Sequence, residues 1–123
     1  MSLDIECKQS FEQGDYDRVL SICNDAINMF KNRQIQLFDV CLFYDYRTKV
    51  YELKGDRIQA VSDLKEIVNL ISKEVENMEG ILSMAKEMGD HSEIDPILGT
   101  SPVIFEFKSR LREFGDRLSK LEP

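Results

Sequence analysis

Tryptophan is absent from this 123-residue chain, histidine occurs once and proline three times. With only six glycines as well, long stretches contain nothing that interrupts a helix. No apolar run is long enough to span a bilayer. Asp4, Glu6 and Lys8 break up the opening residues, so no signal peptide is read there. Clustered positive charge is missing too. The 16 Lys and Arg are interleaved with 23 Asp and Glu, for a net charge of −7. Phosphate-rich partners need concentrated cations, so neither nucleic acid nor an anionic membrane is expected. Three cysteines, Cys7, Cys23 and Cys41, form no C-x-x-C pair and signal neither a zinc site nor a disulfide framework. Reduced thiols in a cytoplasmic or nuclear protein fit best.

What remains is helical periodicity nearly throughout. Leu3, Cys7 and Phe11 recur at steps of four, predicting a helix over about 4–13. Gly14-Asp15 ends it, and Asp15 is placed to cap a second helix, about 16–30, striped by Val19, Cys23, Ala26 and Ile27. A polar connection over 31–34 leads to a third helix, about 36–54, with Leu37, Val40, Cys41, Tyr44, Thr48 and Tyr51 on one side. Gly55-Asp56 repeats the earlier punctuation. From Arg57 to Met88 the apolar series Leu64, Ile67, Ile71, Val75, Met78, Leu82 suits one long or kinked helix, or two with a break between Ser72 and Asn77. The absence of turn residues favours one. Gly89 to Pro102 reads as a loop, and a last amphipathic helix spans about 103–121.

The chain also repeats itself. Cys7–Phe30 aligns with Thr48–Ile71, Gly14-Asp15 falling on Gly55-Asp56, and Val19, Cys23 and Ala26 on Ala60, Leu64 and Ile67. Each copy is helix, Gly-Asp turn, helix. One such hairpin cannot bury its apolar face alone, so hairpins stack. The pattern resembles the tetratricopeptide repeat (TPR). Gly14, Asp15 and Tyr16 look like its turn, and the three aligned pairs look like its small, large and small slots. Leu3 and Tyr44 fall where that family has a bulky residue, and Cys7 and Thr48 where it has Gly or Ala. Gly89 follows Gly55 at the family's 34-residue period. The chain departs from the pattern in three ways. Gly14 and Gly55 are 41 residues apart, seven more than the period, which implies an early start to helix three or an enlarged connector. No proline closes the second helices, and Pro96 interrupts what would follow Gly89. The resemblance therefore covers residues 1–72 as two repeats, with 73–123 a divergent repeat or capping helices. It implies one all-α domain, 1–123, of antiparallel hairpins stacked as a short TPR-like superhelix with a C-terminal capping helix. The bland alternative is a non-repeat bundle containing two Gly-Asp turns.

Nothing here carries an enzyme signature: no phosphate loop, no G-x-S-x-G, no H-E-x-x-H. The cysteines sit on apolar stripes, where a thiol behaves as a small hydrophobe. Asp90, His91, Glu93 and Asp95 have the wrong spacing for a calcium loop and read as a solvated acidic loop, so no metal or cofactor is expected. Most aromatics of helix three read as core, while Phe38 and Phe43 fall off its main stripe and are either core or exposed anchors.

The resemblance implies a groove lined by helices one and three, and the alignment places Lys8 and Phe11 beside Asp45, Lys49 and Glu52 there. Acidic groove residues repel a free carboxylate, so a chaperone tail is a poor ligand and a basic, mixed-charge or apolar segment a better one. The expected function is a non-enzymatic adaptor that binds a peptide or helix of a partner protein. Three alternatives stay open: an oligomerisation piece of a larger scaffold, pairing copies through the Leu64–Met88 series; a small TPR-type chaperone; and an enzyme or ligand-binding helical protein, which would need a buried acid pair in a concave polar pocket.

Overall fold

In a computed structural model, which describes residues 2–87 and 102–122, the chain is all-α: α1 (Leu3–Glu12), α2 (Tyr16–Lys31), α3 (Leu37–Leu53), α4 (Arg57–Glu87) and α5 (Pro102–Leu121). The long apolar series is a single 31-residue helix, α4. The expected loop over 89–102 and the Asp90/His91/Glu93/Asp95 patch lie outside the described residues, apart from Pro102, which opens α5.

The α1–α2 and α3–α4 turns are built alike. Gly14 and Gly55 take left-handed φ values of 76° and 77°. Asp15 N–H donates to the Ser10 carbonyl at 2.9 Å, and Asp56 N–H to the Tyr51 carbonyl at 2.8 Å. Gly14 and Gly55 N–H donate to Phe11 and Glu52, both at 3.1 Å. This is the Schellman closure, in which a left-handed glycine lets the chain reverse and satisfy orphan carbonyls. The next helix is then capped by the same residue type. Asp15 accepts from Arg18 N–H and Asp56 from Gln59 N–H, each at 3.3 Å. The α2–α3 connector closes the same way, but with Arg33 in the left-handed position at φ 61°.

Each helix packs on the next along the chain, α4 on α5 included, and α1 also packs on α3. The aligned positions Val19, Cys23 and Ala26, and Ala60, Leu64 and Ile67, are all fully buried. Two apolar clusters result. One joins α1, α2 and α3 around Cys7, Val19, Cys23 and Val50. The other joins α2 to α5 around Tyr44, Leu64, Ile67, Ile71 and Phe107. In the α4 series offered above for pairing between copies, Leu64, Ile67 and Ile71 are fully buried inside the chain, Val75 and Leu82 nearly so, and Met78 partly exposed.

Helix lengths create a step. At 1.5 Å per residue α3 is about 25 Å long and α4 about 46 Å, so α4 runs about 20 Å past the start of α3. The first turn of α5 lies beside that overhang, and Phe107 meets Phe38 of α3 edge-on, ring centroids 5.7 Å apart.

Candidate functional site

The step leaves a cleft of about 1040 Å³. Phe30 at the end of α2, Leu37 and Phe38 at the start of α3, Leu70 and Met78 of α4, and Val103 and Phe107 of α5 line it. Each lies there for a local reason. Leu37 and Phe38 belong to the seven residues by which α3 exceeds α1, 17 residues against 10. Met78 lies on the part of α4 that outruns α3. Phe38 remains 39% exposed although its ring packs against Phe107 and under the Arg110 guanidinium, 4.2 Å from the centroid. Phe43 is buried and belongs to the core. A smaller cavity of about 490 Å³ lies on the other side of Phe38, lined by Leu3, Ile35, Leu42 and Phe43.

Charge borders the larger cleft unevenly. Among the described residues that line it, Asp39, Glu74 and Glu106 stand against one cation, Lys73. Glu106 also lies 3.5 Å from the Arg110 guanidinium. The cleft thus has an apolar floor and an acidic rim.

The residues expected to form a groove fall elsewhere. Asp45, Lys49 and Glu52 do come together on α3, joined by a residue the sequence did not point to, Arg117 of α5. Arg117 pairs with Asp45, donates to Thr48 Oγ1 at 2.7 Å and reaches Glu52 at 3.5 Å. Lys49 closes its i,i+4 pair with Asp45 at 3.1 Å. The acidic side chains here are already satisfied within the chain. Phe11 is half-buried and packs between Tyr16 and Tyr46, with centroids 5.7 and 5.3 Å away. Lys8 is exposed on α1.

A second polar centre also went unread. Arg47 forks onto Asp63 of α4, with Nε to Oδ2 at 2.7 Å, and donates to Asn24 of α2 at 2.9 Å. Burial pulls the Arg47 pKa down, but the hydrogen bonds and charge of Asp63 outweigh it and the net shift is upward. The group is a fixed cation that ties three helices together.

Comparison with protein-family models, curated proteins and solved structures gives no match. No described helix is long and apolar enough to cross a membrane.

Proposed function

We propose that the protein is a non-enzymatic interaction adaptor, a short TPR-like stack that docks an amphipathic helix of a partner protein. The matching Gly14 and Gly55 turns, the buried aligned positions and the packing of α1 on α3 support the repeat reading. The apolar cleft with its acidic rim carries the docking reading. It holds two or three apolar anchors of a helix, and Asp39 and Glu74, with Glu106 shared with Arg110, select flanking Lys or Arg. This moves the docking surface from the α1–α3 face, whose carboxylates Arg117 already neutralises, to the end of the stack.

The test uses the full chain with a photoreactive methionine analogue at Met78. It is mixed with a synthetic helix carrying leucines at i, i+3 and i+7 and lysines on its flanks. Crosslinking to that peptide, lost with Val103→Glu on the exposed wall of the cleft and weak when the flanking lysines are glutamates, supports the reading. Crosslinks only to a second copy would make the cleft a self-association surface. Crosslinks only to the chain's own residues 88–101 would make that segment the occupant. Binding lost with Lys49→Glu but kept with Val103→Glu would return the site to the α1–α3 face.

A further inference from the structure

Two cysteines that share no sequence motif meet in the core. Cys7 of α1 and Cys23 of α2 stand on opposite arms of the first hairpin with their Sγ atoms 3.6 Å apart, and both residues are fully buried. Sixteen residues separate them, so the contact comes from the hairpin and not from local spacing. Cys41 belongs to the other apolar cluster.

We propose that Cys7 and Cys23 are a redox modification site, which a low-molecular-weight disulfide oxidises to an internal disulfide that locks α1 onto α2. This does not rest on the docking reading. Forming the bond requires the sulfurs to close by about 1.5 Å, since a disulfide is about 2.05 Å long. Either thiol can donate the hydrogen bond between them, and burial opposes the ionisation of both. Burial pushes Cys41 up to about 11. Whichever thiol the opening exposes first loses its proton, attacks the small disulfide as a thiolate, displaces one half as a thiol and becomes a mixed disulfide. The other cysteine then gives up its proton and attacks that cysteine's sulfur, expelling the second half as a thiol. Two electrons and two protons pass from the cysteine pair to the reagent, whose own S–S bond is broken. Access comes from opening of α1, a ten-residue helix that packs on α2 and α3.

The experiment equilibrates the full chain with oxidised glutathione, then quenches, unfolds and alkylates it. The expected result is alkylation of all three cysteines in the reduced chain and of Cys41 alone in the oxidised chain. Tryptic cleavage after Lys8, Arg18 and Lys31 separates the partners, so a linked pair of peptides identifies the bond. Cys41→Ser keeps the link, and Cys7→Ser and Cys23→Ser each abolish it. In the linked form, amide hydrogen exchange in α1 slows by at least about tenfold, because opening now requires the crosslinked hairpin to yield. Three alkylated cysteines after oxidation, a link through Cys41, a persistent glutathione adduct with no internal bond, or unchanged α1 exchange would each overturn the proposal. The wild-type measurements decide even if a serine variant fails to fold.

Discussion

Among the described residues three reversals of the chain use the same closure, and one uses the wrong residue for it. Gly14 and Gly55 take the left-handed conformation freely, whereas Arg33 holds φ 61° with a full side chain. A non-glycine residue there costs about 1 kcal/mol or slightly more, and glycine's extra freedom in the unfolded chain returns part of any gain. Arg33→Gly is thus expected to raise unfolding stability by about 0.5–1 kcal/mol. The converse change, Gly55→Ala, is expected to lose about 1 kcal/mol. No atom lies within 4 Å of the added Cβ, so that loss is backbone conformation alone. Urea melts of the two variants check both signs. Unchanged midpoints would mean that neither turn holds its left-handed residue in solution.

At the scale of helices, the sequence was readable wherever burial and turn chemistry act locally. The Gly-Asp pairs predicted both matching turns, and the apolar stripes predicted the fully buried Val19, Cys23, Leu64 and Ile67. The long spacing between the two Gly-Asp turns was visible, and the helix that lies in it, α3, is 17 residues against the 10 of α1. What could not be read were contacts that depend on how helices come to rest. Arg117 is 72 residues from Asp45, and neither position has a periodicity that names the other. The cleft escaped for the same reason, since it is a mismatch in helix length and not a motif. The Arg47–Asp63 fork is the sharpest such case. Removing one partner leaves a nearly buried charge unpaired, so Arg47→Met is expected to cost about 3 kcal/mol. Replacing both, as Arg47→Met with Asp63→Leu, is expected to recover most of that loss. A double-mutant cycle in urea measures the coupling, and additive losses would show that the fork contributes nothing of its own.

For the molecule as a whole, charge and shape set different parts of recognition. In the proposed docking, the net charge of −7 and the acidic rim would draw a lysine-flanked helix toward the cleft from a distance, and the apolar floor would then hold it. Screening acts on the first step alone, because the Debye length falls from about 30 Å at 0.01 M salt to about 8 Å at 0.15 M. The association rate of that peptide is therefore expected to fall by about tenfold over this range, with its dissociation rate nearly unchanged. Truncating the floor works the other way. Phe38→Ala leaves the rim charges in place and is expected to speed dissociation with little effect on association. Stopped-flow fluorescence with a labelled peptide separates the two rates. Salt and Phe38→Ala acting on the same rate would mean that charge and apolar contact are not divided between rim and floor, and the cleft could not then select a partner in the way its lining implies.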